Sequence, residues 1–245
     1  HEVTVLTPRY ADHIDAPEGQ FPFTLCRLEP VVKAGNAALC ANISSHLAAA
    51  TCVYLHYPFF GTAEAVWLSG IFGSLRRKFV IRYDMDVMGR GLKKALFALH
   101  TATLMPAILR SSDKVIFSSF DYASQSNASW MLEECPARCV EIPYGVDRRK
   151  FYPSSPASKK EKRLLFVGGL DRAHYFKGIN NLLHAVAPLV ERDRDISLHI
   201  VGSGDLLPEY QSACRRLGID GRVTFLTDCS DDDLRREYSE AIVTV

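Results

Sequence analysis

Neither sign of charge prevails in this chain, with 29 Lys plus Arg against 28 Asp plus Glu in 245 residues. A molecule so balanced projects no strong field toward nucleic acid, and no nucleic-acid partner is expected; any charge chemistry must be local. Long apolar runs are scarce as well. The best spanning candidate, residues 95–109 "ALFALHTATLMPAIL", is short for a bilayer and carries His100, two threonines and Pro106. It reads instead as a buried helix kinked at the proline. The seven cysteines, at 26, 40, 52, 135, 139, 214 and 229, are odd in number and lack the paired two-residue spacing of zinc ligands or a redox dithiol. Buried reduced thiols are the expectation. No charged-then-apolar leader opens the chain, which points to the cytosol; the first residues, "HEVTVLTP", already read as a strand.

What is present is the material of a layered α/β protein. Hydrophobic residues make up 47% of the chain, enough for two domains of roughly 100–150 residues each. Short runs rich in β-branched residues recur between longer helical patterns: 3–6, 52–55, 79–83, 114–118 and 139–142, then 164–167, 196–201 and 222–226. Most are apolar at successive positions, as parallel strands covered on both faces by helices would be. Prolines, serines and a basic run replace that pattern over 146–163, which sets a domain boundary near 155 and divides the chain into 1–155 and 156–245. Past it, strand, turn and helix repeat at roughly 30-residue intervals, the length of a βαβ unit. Ser230 and Asp233 predict a capping box, and Gly218 predicts the stop of a helix over "LPEYQSACRRL".

Two turns stand out. In "LLFVGGLDRAHYFKGINNLL", Gly168 and Gly169 follow a strand, and Lys177 and Gly178 stand where a helix begins. Glycines let a ligand approach the backbone, and a cation beside the free N–H groups of a first helical turn suits an anion, phosphate above all. Strand–helix packing uses the same glycines, and this turn alone leaves both uses open. It is neither "GxGxxG" nor "GxxxxGKS/T", so neither a dinucleotide fingerprint nor a P-loop is indicated. The turn "IVGSGDLLPEY", with Gly202 and Gly204, repeats the arrangement and strengthens the case for a nucleotide platform.

In order and spacing, "EIPYGVDRRKFYP", "LLFVGGLDRAHYFKGINNLLHAV", "LHIVGSGDLLPEY" and "LGIDGRVTFLTDCSDDDLRREYSEAIVTV" resemble the successive motifs of family 4 (group 1) retaining glycosyltransferases. "YLHYPFFGTAEAVWL" and "RYDMDVMGRGLKKALF" are similar to acceptor-domain segments of the same family. The resemblance implies a GT-B fold, in which two Rossmann-like domains face each other across a cleft, the first holding a hydroxyl acceptor and the second a nucleoside diphosphate sugar. It implies that Gly168, Gly169, Arg172, Lys177 and Gly178 meet the donor's diphosphate, and that Gly202 and Thr227 lie beside the nucleoside. It implies a catalytic role for Asp84, with His56 and Asp86 on the acceptor side. It implies a donor that is a substrate, with no cofactor and no metal, and an acceptor that is a glycan, a lipid-linked sugar or a small molecule.

The sequence also departs from that family. Gly169 stands where many relatives have Arg, and Asp84 where many have His, so a carboxylate replaces a group that can donate as imidazolium. Asp84 can instead cap its strand, His56 can serve a cleft or only its neighbours, and the Asp84–Asp86 pair is a remote Mg²⁺ candidate. The family's downstream Glu-x7-Glu segment and its first strand with its glycine turn are both missing, so the chain is expected to be an inactive fragment. Two rival readings stay open: a silent sugar-nucleotide-binding scaffold, and a two-lobed solute-binding protein. Arg76, Arg77, Lys78, Arg90, Lys93 and Lys94 flank apolar stretches; they form either a solvated face or a peripheral contact with the inner face of the membrane.

Overall fold

A computed structural model of the chain describes residues 2–9, 22–34, 37–72, 77–87, 89, 91–152 and 162–245. The chain divides into two compact units, His1–Tyr144 and Gly145–Val245. The boundary expected near residue 155 lies outside the described residues.

The first unit opens with strands β1 (Thr4–Pro8), β2 (Thr24–Leu28), β3 (Val32–Ala34) and β4 (Ala37–Leu39), followed by the short helix α1 (Ile43–Leu47). Then come β5 (Cys52–Tyr57), α2 (Thr62–Phe72), β6 (Lys78–Tyr83), α3 (Leu92–Ser111) and β7 (Lys114–Phe117). Helices α4 (Phe120–Gln125) and α5 (Trp130–Glu134) precede β8 (Cys139–Glu141). Strands β5, β6, β7 and β8 form one parallel sheet in that order, β1 and β2 pair in parallel, and β3 and β4 form an antiparallel pair. Leu55, Tyr57, Ile81, Tyr83, Val115 and Phe117 bury one face of the β5–β8 sheet against Met105, Ile108 and Leu109 of α3. Glu64 ties the covering helices together: one carboxylate oxygen accepts the Gly61 N–H at the start of α2 (2.6 Å), and the other meets His100 Nε2 of α3 (2.7 Å).

The second unit contains β9 (Lys162–Val167), α6 (Ile179–Arg192), β10 (Ile196–Val201), α7 (Leu207–Leu217), β11 (Val223–Leu226), α8 (Asp231–Glu240) and β12 (Val243–Thr244). Its sheet is parallel in the order β11–β10–β9–β12. Ile179, Leu183, Val186 and Val190 recur at helical spacing and lay the apolar stripe of α6 on Leu198 and Ile200 of β10. The capping box forms, with Ser230 accepting from the Asp233 N–H, and Gly218 ends α7 in the left-handed conformation (φ 67°). The alternation of parallel strands and helices in both units is the Rossmann-like α/β organisation expected from the sequence.

Every strand expected from the sequence is present. Four more, β2, β3, β4 and β12, were not expected from the sequence. Three expectations need correction. The segment 95–109 is part of one continuous α3 with Pro106 inside it, and it is not wholly buried. Met105, Ile108 and Leu109 are inside, whereas Leu92, Leu96 and Leu99 are 92%, 62% and 63% exposed. Strand β5 is not covered on both faces, since Cys52, Tyr54 and His56 alternate outward. All seven thiols are unpaired, yet only Cys40 and Cys214 are buried; Cys52, on the open side of β5, is exposed.

Candidate functional site

In the second unit the site grows from the carboxyl ends of β9, β10 and β11, where a parallel sheet gathers its turns. Backbone bonds join the three ends: Gly168 N–H donates to Val201 O, Leu170 N–H to Ser203 O, Leu206 N–H to Leu170 O, and Gly202 N–H to Leu226 O, each at 2.9 Å. This stitching explains two of the glycines. A Cβ on Gly202 would lie 1.9 Å from the carbonyl oxygen of Gly168, and one on Gly204 would lie 2.2 Å from the carbonyl carbon of Leu170. No side chain fits between loops that close. Thr227 follows β11 directly and is exposed beside them.

Beyond Gly169 the chain makes a 3₁₀ turn, Arg172–Lys177, and passes through Gly178 (φ 73°) into α6. The N-cap of α6 is Gly178, which has no side chain to cap it, so the N–H groups of the first turn have no capping side chain among the described residues. Lys177 is exposed just before that terminus, its ammonium 5.7 Å from the Phe176 ring centre. Arg172 turns the other way: its Nε reaches Asp205 (3.2 Å) and its Nη2 reaches Glu209 in the first turn of α7 (2.9 Å). A Cβ on Gly169 would meet His174 Nδ1 at 2.6 Å, so the imidazole, held by Asp171 at 2.8 Å, fills the space a side chain at 169 would need.

In the first unit the parallel register sets His56 of β5 beside Arg82 of β6. Just past β6, Asp84 is fixed by its own N–H, which donates to Tyr57 O (2.8 Å). Its Oδ1 accepts from Tyr144 Oη–H (2.6 Å) and Arg82 Nε (3.1 Å), and its Oδ2 lies 2.9 Å from His56 Nδ1. Arg82 is buried; it also donates to Ile142 O (3.2 Å) and lies 4.1 Å below the Tyr144 ring. The bond to Asp84 pushes the Tyr144 phenol above its ordinary pKa, with burial adding to the shift. Asp86 faces different partners: it accepts from Tyr83 Oη–H (2.5 Å) and from the Asn127 N–H (3.0 Å), while its own N–H donates to Tyr122 Oη (2.7 Å). Asp84 and Asp86 are therefore engaged separately, the first with His56, Arg82 and Tyr144 and the second with the anchorage of α4 and α5. Among the described residues no group of three or more His, Cys, Asp or Glu gathers as a metal site.

Residues 161–245 match the sequence model of the family Glycosyl transferases group 1. The match is confined to this segment, about a third of the chain. An uncharacterized glycosyltransferase of Methanocaldococcus jannaschii is 35% identical over 99 residues, which is 40% of this chain and 24% of that protein. The phosphatidyl-myo-inositol mannosyltransferase of Mycobacterium tuberculosis is 32% identical over 108 residues, 43% of this chain and 28% of that protein. The matches thus span about a quarter of the curated relatives' length. Among solved structures, Anabaena HepE in complex with UDP and glucose superposes with a TM-score of 0.63 at 18% identity, over 91% of this chain and 60% of that one. Sucrose-phosphate synthase of Thermosynechococcus elongatus gives 0.56 at 22% identity, over 82% and 52%. The shared feature is the fold, the two-unit Rossmann-like architecture of the GT-B class.

Within the matched segment the expected residues Gly168, Gly169, Lys177, Gly178, Gly202 and Thr227 all lie at the strand ends or at the start of α6. Arg172 is on the same turn but engaged with acids. In the first unit His56 and Asp84 come together, and Asp86 does not join them. Sequence reasoning passed over Arg82, Tyr144 and His174. For Arg82 the signal was there: a charged residue inside the apolar strand "FVIRY" is uncommon without a buried partner. Among the described residues no helix is long and apolar enough to cross a membrane.

Proposed function

We propose that the protein this chain represents transfers a sugar from a nucleoside diphosphate sugar to a hydroxyl of a glycan, a lipid-linked sugar or a small molecule, with retention of configuration. One observation carries the reading: two interlocked glycine loops open beside an uncapped helix terminus with an exposed lysine, in the segment matching the group 1 family. Cleaving the sugar–phosphate bond leaves negative charge on the diphosphate. The Lys177 ammonium and the N–H groups opening α6 meet that charge as it develops, in a geometry set before the reaction. Gly202 and Thr227 present mostly backbone to the nucleoside. No cofactor or metal is invoked, and no protein nucleophile, because the departing phosphate helps to take the acceptor's proton on the same face. Asp84, His56 and their neighbours serve the acceptor. The UDP bound by HepE and the mannosyl transfer named for the mycobacterial relative are consistent with this class of donor.

Calorimetric titration with UDP-, GDP- and ADP-sugars tests the reading. One of the three is expected to bind, and Lys177→Ala to weaken it about tenfold or more, the loss of one charge-assisted contact. Absence of heat with all three, or a Lys177→Ala variant that binds as the parent does, overturns it. Binding without transfer by the longest natural form would instead favour the silent scaffold.

A second proposal concerns the membrane. The first turns of α3 expose Leu92, Leu96 and Leu99 beside exposed Lys93 and Lys94, a pattern suited to the cytoplasmic face of an anionic bilayer. Elsewhere in the first unit Lys78 lies 3.7 Å from Asp113, Arg77 is half-buried, and Arg76 and Arg90 fall outside the described residues.

A further inference from the structure

Asp84 has little left to offer a substrate. Three donors already converge on its two oxygens: Arg82 and Tyr144 on Oδ1, and His56 on Oδ2. The backbone beneath it is pinned to Tyr57 O. His56 is the opposite case, with 66% of its side chain exposed and one ring nitrogen committed. Salt-bridged to the Arg82 guanidinium, the Asp84 carboxylate accepts hydrogen bonds, so Nδ1 of His56 is the nitrogen that carries the proton toward it. In the neutral ring the free nitrogen, Nε2, then holds a lone pair. Arg82, 7% exposed in its side chain, donates to Ile142 O, lies against the Tyr144 ring and fixes Asp84, which fixes the imidazole. Tyr54 packs edge-on against His56, with ring centres 5.3 Å apart and 48% of Tyr54 exposed, so an exposed aromatic ring adjoins the imidazole. An aromatic face beside a fixed hydrogen-bond acceptor suits a polyol, whose C–H surface stacks while a hydroxyl donates.

We propose that His56 Nε2 receives the hydroxyl of a sugar or polyol acceptor, that Tyr54 supports its ring, and that Asp84 is a positioning residue acting through His56. The acceptor role rests on the transferase reading above. The pairing of His56 with Asp84 does not.

The test uses the 245-residue chain labelled with ¹⁵N-histidine. Long-range ¹H–¹⁵N spectra, with His56→Gln assigning the signal, are expected to show the Nδ1–H tautomer. Methyl α-D-glucopyranoside is expected to shift Nε2 in a saturable way. Asp84→Ala should return the ring to the commoner Nε2–H form and weaken the glycoside response about tenfold, the loss expected when a charge-assisted bond that orients the group is removed. Asp84→Asn keeps a carbonyl acceptor and the shape of the site, and should retain the native tautomer and most of the response. An Nε2–H tautomer in the parent, no glycoside shift at His56, or a response unchanged in Asp84→Ala overturns the proposal. Nucleotide-sugar heat measured on the same samples separates the two readings. If it is present while His56 stays silent, only the present inference fails; if it is absent while His56 responds, the polyol site stands and the transferase reading fails.

Discussion

Tyr57 and Tyr83 sit opposite each other on β5 and β6, with ring centres 5.9 Å apart, both almost fully buried, and they differ in one bond. The Tyr83 hydroxyl donates to Asp86, whereas the Tyr57 hydroxyl is buried without a partner among the described residues. Removing each should have opposite consequences. Tyr83→Phe takes one of two donors from the Asp86 carboxylate, leaving the Asn127 N–H, and is expected to cost about 1 kcal/mol, while Tyr57→Phe removes an unmet polar group and should be neutral or stabilising by up to about 1 kcal/mol. Urea unfolding midpoints distinguish the two. Burial raises both phenols above their usual pKa, with the Glu64 charge adding for Tyr57 and the Asp86 bond for Tyr83. Both therefore stay neutral in the fold at a pH where the unfolded chain ionises them, near pH 10. The stability they contribute is complete below that pH and is lost as pH rises from there toward the folded values. The parent is expected to lose stability between pH 9 and about pH 11, and Tyr57→Phe to lose less, having one such group fewer.

At the scale of elements, the interlocked loops after β9 and β10 decide more than either does separately. Gly204→Ala places a methyl group 2.2 Å from the Leu170 carbonyl carbon and 2.3 Å from the Asp171 nitrogen, both backbone atoms that cannot rotate away. Relief requires the loops to part, which breaks the bonds from Leu170 N–H to Ser203 O and from Leu206 N–H to Leu170 O. A cost of about 3 kcal/mol is expected, at the upper end for overpacking, with a lower melting temperature and weakened nucleotide-sugar binding. Gly221→Ala, with open space around its Cβ, is the control and should melt within a degree or two of the parent, roughly a surface substitution. An unchanged melting temperature in Gly204→Ala would mean that the loops are not joined. The sequence showed that glycines follow both strands, but not that they face each other, since the loops are some 30 residues apart and only the β9–β10 pairing brings them together.

At the scale of the whole molecule, a near-neutral chain can still carry a local basic and apolar face. Leu92, Leu96 and Leu99 project from α3 at helical spacing with Lys93 and Lys94 beside them, while the later turns of the same helix are buried against the sheet. The chain is expected to sediment with phosphatidylglycerol vesicles and not with phosphatidylcholine vesicles. Leu96→Glu, which replaces buried apolar area with a charge repelled by the lipid, should weaken that association about tenfold. Equal binding by Leu96→Glu would remove α3 from the contact.

The local layers of this protein were legible in its residues: the alternation of strand and helix, the Ser230–Asp233 cap, the stop at Gly218, and the lysine and glycine that open α6. Each depends on neighbours a few positions apart, where propensity and periodicity act. What the tertiary structure alone decided is which side chains meet. His56, Arg82 and Tyr144 reach Asp84 from 28, 2 and 60 positions away, and Asp86, two residues on, is turned to Asn127 and Tyr83 instead. Sheet register and the face each residue presents settle such meetings, and neither is written in local sequence, because a strand's period fixes the alternation of its faces but not its partner.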